Sequence, residues 1–367
     1  MKITKVRATL LSLPADEALA NMPNNPGGKR LVTACEIETD EGIIGIGISM
    51  LANGMMPTVT VAIEQLGSVI TGMDPLRIEA VTKKMWDFGG NSGPGGIFVM
   101  ALSAIDIALW DIKGKALNQP VWKLLGGARE KVATYASGAL MRELTNDQCV
   151  TAARTLVEKG FRQMKTQLAL PGNTSPRREI ERVRLIREAI GSDIDLMCDI
   201  NQRWRPEQAI DIGKRIENET DVNFFWLEDV TAADDYQGLA RVTQALRTPI
   251  AGGEYVYGIQ PFRQMLEARS IDIVMVDVVR SCGISGWMKI AAMAEAFNLP
   301  IVSHLVPEIL MHCVAAVPNG LTVEYMPWSH HMYEEVQWPK DGMLTLPSAP
   351  GLGLRFDQAA LKRYAVG

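Results

Sequence analysis

Three acidic residues each close a short, mostly apolar run in the middle of the chain. The runs are Asp195-Leu196-Met197-Cys198-Asp199-Ile200-Asn201, Phe224-Phe225-Trp226-Leu227-Glu228-Asp229 and Pro249-Ile250-Ala251-Gly252-Gly253-Glu254. As successive parallel strands they deliver Asp199, Glu228 and Glu254 to one rim, because every strand of such a sheet ends on the same side. Three converging carboxylates repel one another unless a cation sits between them. Hard oxygen ligands, with no Cys or His pair at zinc spacing nearby, select a divalent oxygen-loving ion, above all magnesium (Mg2+).

Further polar residues fall at matching ends of other apolar runs. In Met164-Lys165-Thr166-Gln167 the two-residue period puts Lys165 and Gln167 on one inward face. A lysine inside a barrel is costly unless acids pair with it, and a place beside the three carboxylates supplies them. Taken alone, a strand lysine is more often a rim residue with its ammonium in water. Asn201, two beyond Asp199 and on its face, either orients a ligand or caps the next turn. Asp277 and His304 close neighbouring runs, Val276-Asp277 and Ser303-His304-Leu305. Asp277 can then accept a hydrogen bond from one imidazole nitrogen and leave the other as a base. A lone histidine is usually structural, but the acid at the matching strand end favours catalysis here. His312, on the following helix, and His330 and His331, in a loop, take the structural reading. Glu324, in Thr322-Val323-Glu324-Tyr325, adds a fourth acid, too far round the rim for easy metal ligation and expected to be a protonated hydrogen-bond donor. Ser137 at the end of the first run is a further polar contact.

These residues need a scaffold that repeats. From Lys131 short strands alternate with helical runs, with strands expected at 131–137, 163–169, 195–201, 224–229, 249–254, 271–278, 300–305 and 321–326. Helices fall between them, among them Pro176–Ala189, Pro206–Ile216 and Ser285–Phe297. The alternation predicts an α/β fold, a (β/α)8-type barrel of the modified TIM kind, with its last helix open. No Gly-rich phosphate loop follows the first barrel strand, which argues against nucleotide binding. Ahead of the barrel, Lys2–Pro14 alternates as a strand and Leu31–Ile48 as a hairpin turning at Asp40-Glu41-Gly42. Helical spacing follows over Thr58–Thr71, Leu76–Phe88 and Ile97–Leu117. Three domains are therefore expected: an N-terminal α+β capping domain over 1–127, the catalytic barrel over 128–328, and a C-terminal segment over 329–367 that packs back on the cap. Ala15–Arg30 has no periodicity and contains Met22-Pro23-Asn24-Asn25-Pro26-Gly27-Gly28, so it is expected to be a lid. Lys29 and Arg30 at its end are placed to meet an anionic substrate, unless they are plain surface.

Composition narrows the partners. The 367 residues are 47% apolar and 22% charged, enough for a large core. A net charge of -5 without a Lys/Arg-rich run argues against a nucleic-acid or anionic-membrane partner. The five scattered cysteines, Cys35, Cys149, Cys198, Cys282 and Cys313, fit a reducing compartment better than a disulfide framework. With no apolar block like a signal peptide and no membrane-length run, the expectation is a cytoplasmic enzyme.

With these residues in place the chain resembles the mandelate racemase and muconate lactonizing enzyme subgroup of the enolase superfamily over essentially its whole length. The helix Ala101-Leu102-Ser103-Ala104-Ile105-Asp106-Ile107-Ala108-Leu109-Trp110-Asp111-Ile112-Lys113-Gly114-Lys115 matches a family signature, and Gly160-Phe161-Arg162 leads into the strand-two lysine. The resemblance implies magnesium on Asp199, Glu228 and Glu254, a base dyad of Asp277 and His304, and Glu324 as an electrophilic acid. It further implies that Asn201, Lys165 and Ser137 touch a small-molecule carboxylate or the metal-bound oxygen, with Gln167 at a substrate-facing position, and a homo-oligomer of capped barrels. One position departs. The family's strand two carries Lys-X-Lys, whose second lysine is a base on one face of the substrate, and here that position is Gln167, which takes no proton at neutral pH. With one base left, the expected chemistry is removal of the proton next to a carboxylate by His304, stabilisation of the enediolate by the metal, Lys165 and Glu324, and loss of a β-hydroxyl. The expectation is therefore a dehydratase of an acid sugar giving a 2-keto-3-deoxy acid. A racemase or epimerase is the alternative, and an inactive metal-binding homologue a more distant one.

Overall fold

In the computed structural model, which describes residues 1–23, 27–172 and 175–366, the chain opens on an antiparallel sheet of β1 (Ile3–Pro14), β2 (Lys29–Thr39) and β3 (Ile44–Met50). The β2–β3 hairpin turns at Gly42, whose φ of 79° is the left-handed conformation that a residue without Cβ adopts at least cost. Helices α1 (Met56–Ile70), α2 (Ile78–Gly89), α3 (Gly96–Ala116) and the short α4 (Val121–Leu124) follow.

The middle helix of this unit, α3, is apolar nearly all round and is buried accordingly, from Phe98 through Leu109. Sheet and helix approach so closely that a Cβ on Gly47 would stand 2.0 Å from the Ala104 carbonyl oxygen. Two acids on α3 then tie the unit to the rest of the chain. Asp106 accepts from the Ser285 backbone N–H at 2.9 Å and from the Ser285 hydroxyl at 2.6 Å. Asp111 accepts from Lys115 at 2.6 Å, from the Ile46 N–H at 2.9 Å and from the Leu352 N–H at 2.8 Å.

Eight parallel strands come next, in the sheet order β10 (Ile301–His304), β9 (Ile273–Asp277), β8 (Ile250–Gly252), β7 (Phe224–Glu228), β6 (Asp195–Asp199), β5 (Gln163–Gln167), β4 (Lys131–Leu140) and β11 (Val323–Tyr325). A parallel bridge between Ile301 and Gly320 joins the two ends of that order. The strands coincide with the expected runs, trimmed by a few residues at their ends except for β4, which runs on to Leu140. Helices α5 (Asn146–Glu158), α6 (Pro176–Ile190), α7 (Pro206–Glu219), α8 (Tyr236–Ala245), α9 (Gln260–Glu267), α10 (Gly283–Ala296) and α11 (Pro307–Ala316) follow the first seven barrel strands. No such helix follows β11. Instead the chain adds β12 (Met343–Thr345), antiparallel to the start of β4, and α12 (Gln358–Tyr364), after which Val366 N–H donates to Leu10 of β1 at 2.9 Å.

Strand burial on both faces gives two cores, as parallel sheets require. One lies between strands and helices. The other fills the barrel, where Tyr135, Met197, Trp226, Ala251, Ile273, Met275 and Val302 pack together and form the floor beneath the rim. All five cysteines are buried and unpaired, and no helix among the described residues is long and apolar enough to cross a membrane.

The expected lid is partly built into the wall. Glu17 accepts from the N–H groups of Leu19, Ala20 and Met22, and Lys159 donates to the Leu19 carbonyl. Asn24, Asn25 and Pro26 of that stretch lie outside the described residues.

His312 takes the structural role expected of it. Its Nδ1 accepts from the Trp122 N–H at 3.2 Å, and its Nε2 donates to the Leu352 carbonyl at 3.1 Å. Burial lowers its pKa from 6.5 to about 4. Because the folded value is the lower one, this contribution is fully present above about pH 6.5 and is lost as pH falls towards 4, amounting to roughly 3 kcal/mol at the acid end. Urea midpoints measured from pH 7 to pH 4.5 should therefore fall with pH, and His312→Gln, though less stable at pH 7, should flatten part of that slope.

Candidate active site

Strand register sets the first contacts of the rim. Gln167 on β5 is level with Asp199 on β6, Asp199 with Glu228 on β7, and His304 on β10 with Asp277 on β9. Immediately beyond the strands, Ala169, Asn201, Gln202, Asp229, Leu305 and Val306 all adopt positive φ, between 42° and 63°. Such conformations cost about 1–3 kcal/mol each for residues with a Cβ and concentrate where a backbone is held for a purpose.

The acids do not gather quite as their spacing predicts. Carboxylate oxygens of Glu228, Asp229 and Glu254 all lie within 4.8 Å of one another, and all three residues are buried. Asp199 stands outside that group. Its Oδ1 accepts from the Asn201 N–H at 2.7 Å, and its Oδ2 accepts from the Asn201 amide at 2.6 Å and from Gln167 at 3.4 Å. The cause is the left-handed turn at Asn201, φ 48°, which folds the amide back onto Asp199. Asp229 enters the group because the chain leaves the β7 alternation at that residue, φ 42°.

Among the gathered acids, Asp229 Oδ2 is buried without a hydrogen-bond partner, and Glu254 Oε2 makes no hydrogen bond and only the 3.3 Å approach of His304 Nε2. Burial pushes the pKa of all three carboxyls up. Glu228 adds its charge against Asp229, and Asp229 adds its charge against Glu254. Orphaned, mutually repelling carboxylate oxygens are the donor set that a hard divalent cation satisfies.

Lys165 is no rim residue. Its Nζ lies 2.5 Å from Glu228 Oε1 and 2.8 Å from Glu324 Oε1, with 6% of the residue exposed. Burial alone would lower its pKa, but the two carboxylates outweigh burial and hold the ammonium charged. Glu324 corrects the expectation of a protonated acid. Burial pushes its pKa up, yet Lys165, His304 and the Leu305 N–H, 2.6 Å from Oε2, bring it down to about 2. In the metal-free chain these neighbours favour its ionised form, which accepts from the Leu305 N–H.

The imidazole of His304 is clamped from both sides. Nδ1 is 2.6 Å from Asp277 Oδ2 and Nε2 is 3.3 Å from Glu254 Oε2. Asp277 is itself fixed, because its Oδ1 accepts from the N–H groups of Val279 at 2.7 Å and Arg280 at 3.1 Å. Burial disfavours the imidazolium, but Glu254 and Asp277 raise its pKa to about 9.

Three residues escaped the sequence reading because loops, not strands, carry them inward. Arg142 donates to Asn201 Oδ1 at 2.5 Å and to the Leu168 carbonyl at 2.9 Å. Arg280 donates to the Glu254 carbonyl at 2.6 Å. The hydroxyl of Tyr255 accepts from Asn201 at 3.1 Å, and its place next to Glu254 was the only signal available. Gln167 joins this network through Asn201 Oδ1 at 3.1 Å. A cavity of about 150 Å³ opens over these groups, with Lys165, His304, Glu254 and Tyr255 in its wall. Ser137, at the mouth, borders both this cavity and a neighbouring one of about 240 Å³. Lys29 does not join them. It is exposed at the start of β2 and lines neither cavity.

A capped parallel barrel that presents an acid cluster, a buried lysine and a His–Asp pair at its strand ends is built for acid–base chemistry on a small anionic molecule. Residues 14–126 match the family model for the mandelate racemase / muconate lactonizing enzyme N-terminal domain, and residues 148–360 match that for the enolase C-terminal domain-like family. The chain belongs to this subgroup of the enolase superfamily and is an enzyme of that superfamily. It is 31% identical, over 100% of both chains, to a 3,6-anhydro-alpha-L-galactonate cycloisomerase of Streptomyces coelicolor. It is 29% identical to an L-talarate/galactarate dehydratase of Salmonella typhimurium, over 98% of this chain and 90% of that one. A crystal structure of an L-talarate dehydratase from Polaromonas sp. JS666, complexed with Mg and L-glucarate, superposes with a TM-score of 0.91 at 29% identity, covering 100% of this chain and 98% of that one.

The clamp on His304 has a measurable consequence. In metal-free protein the imidazole should remain protonated until about pH 9 by NMR titration. Its stabilising contribution is then complete below about pH 6.5 and is lost as pH rises through the folded value of about 9. Asp277→Asn should lower the midpoint by about one unit or more, and a wild-type midpoint near that of free histidine would contradict the geometry.

Proposed function

We propose that this chain is a magnesium-dependent acid-sugar dehydratase, which removes the proton next to a carboxylate and expels a β-hydroxyl to leave a 2-keto-3-deoxy acid. The observation that carries the reading is the supply of bases. His304 is a hydrogen-bonded imidazole facing the cavity, whereas the Lys165 ammonium is committed to Glu228 and Glu324 and the Gln167 amide to Asp199 and Asn201. One acid–base group is enough for elimination, because the proton it takes can be handed to the departing hydroxyl.

The carboxylates of Asp199, Glu228 and Glu254 would hold the ion, with Asp229 beside them, and the buried oxygens of Asp229 and Glu254 that accept no hydrogen bond fit a hard cation. Bound magnesium would supply positive charge against the charge that develops on the substrate carboxylate. The residues of the chain do the rest. With Glu254 committed to a cation, His304 loses its largest raising influence and its Nε2 becomes free to act as a base. Asp277 holds Nδ1 and fixes the ring. The Lys165 ammonium donates toward the enolic oxygen as the C–H bond breaks. The imidazolium then protonates the β-hydroxyl, which leaves as water.

The reading draws support from the dehydratases among the relatives and from the magnesium and L-glucarate in the Polaromonas enzyme. A competing reading, racemisation or epimerisation, rests on the Tyr255 hydroxyl in the same cavity wall as a second proton-transfer group. The two differ in their products.

Incubated with Mg2+ and acid sugars in D2O, the wild type should form a keto acid that reacts with semicarbazide, and a chelator should abolish it. His304→Asn should reduce kcat by about 100- to 10,000-fold, and Lys165→Met by about 100- to 1,000-fold. Deuterated epimer without keto acid would replace the dehydratase reading with the competing one.

A further inference from the structure

The cavity over His304 is small for a sugar acid. Ligand pockets commonly span about 300–1,000 Å³, and this one measures about 150 Å³. The neighbouring cavity of about 240 Å³ shares Ser137, Met141, Met326 and Trp328 with it, so a ligand longer than the inner space extends past these side chains. The outer wall is formed by Ala15–Ala18 together with Arg30.

Arg30 is the informative residue there. Its half-buried guanidinium lies 3.9 Å above the centroid of the Trp328 ring, and its Nη1 donates to the Trp328 carbonyl at 3.3 Å. Stacking and the carbonyl fix the plane of the fork without neutralising it. Among the described residues no carboxylate forms an ion pair with it, and every Asp and Glu side chain of the sequence is among them. Its two acidic neighbours in the wall are engaged elsewhere. Glu17 accepts three backbone N–H groups at 2.6, 2.8 and 3.1 Å, and Asp16 is 2.9 Å from Nε2 of His331. A cation drawn this far out of water without a carboxylate at ion-pair distance favours an anion arriving with the ligand. The neighbouring Asp16 and Glu17 charges suit a singly charged group better than a phosphate dianion.

We infer that the outer cavity is a subsite for a second carboxylate, held by Arg30, and that the substrate is a sugar diacid rather than a sugar monoacid. This rests on the dehydratase reading for which end reacts: one carboxylate lies with Lys165 and the acid cluster, and the far one on the guanidinium. The hydroxyl-bearing carbons between them pass Ser137. A monoacid of the same length would put a neutral hydroxymethyl group against an unpaired cation.

The test uses matched pairs with the magnesium-loaded enzyme: galactarate with galactonate, glucarate with gluconate, and xylarate with xylonate. In at least one pair the diacid should be preferred by about 100-fold or more in kcat/KM and in Kd by calorimetry. Arg30→Gln should shrink that ratio to less than about tenfold, and Arg30→Lys, which keeps the charge but not the stacked fork, should restore part of it. Thermal melting of both variants checks that they fold. The subsite falls if no diacid is preferred, or if Arg30→Gln leaves the ratio unchanged, even where keto acid forms. If diacids bind in an Arg30-dependent way but no keto acid appears, the subsite stands and the dehydratase reading falls.

Discussion

The rim depends on one ammonium held between two carboxylates. Lys165 joins Glu228 to Glu324 across the mouth of the barrel, inside a wall that leaves it 6% exposed. Removing one member of a buried pair of this kind typically costs about 3–5 kcal/mol, because the partner is left as an uncompensated charge. Each carboxylate is satisfied further from below or beside. Trp226 donates from the barrel floor to Glu228 at 2.9 Å, and the Leu305 N–H donates to Glu324. The packed floor therefore sets the position of the acids, and the acids set the charge state of the lysine. That charge leaves Lys165 a hydrogen-bond donor rather than a proton acceptor.

Rigidity at the rim is obtained at the expense of local backbone comfort. Val306 is β-branched and still sits at φ 43°, with Leu305 beside it at 51°. The body of the fold has to hold such residues, and α3 contributes to this at a distance. Asp106 anchors the start of α10, the helix that follows Asp277, while Asp111 gathers β3 and the Leu352 turn. The cap is thus bonded to the barrel through buried carboxylates as well as through apolar contact. Movement between the two would break charge-assisted hydrogen bonds, which are among the stronger ones.

Cap and barrel also share the reaction space unequally. Barrel strands supply the acids, the lysine and the imidazole, whereas the cap supplies Arg30 and the Ala15–Ala18 wall. The proton-transfer groups and the outer wall of the cavity are thereby built on different parts of the polypeptide. Loops around a common barrel are where folds of this kind vary their specificity.

Much of this was legible in the residues alone. The alternation of apolar runs gave eight barrel strands in the right order, and their last polar residues gave Asp199, Glu228, Glu254, Asp277, His304 and Glu324 as neighbours on one rim. This works because strand period and parallel direction are local properties, fixed by backbone geometry before any tertiary contact forms. The protonation of Glu324 was not legible, since proton affinity depends on the summed field of Lys165, His304 and the Leu305 N–H, which lie far apart in sequence. Neither was the place of Asp229 among the gathered acids, which follows from a left-handed turn that no side-chain pattern announces. Arg142, Tyr255 and Arg280 reach the site from loops, where no period ties position to direction. Residue order therefore determined which groups arrive at the rim. Only the folded chain decided which of them touch and which carry a proton, because distance and burial exist only once the barrel has closed.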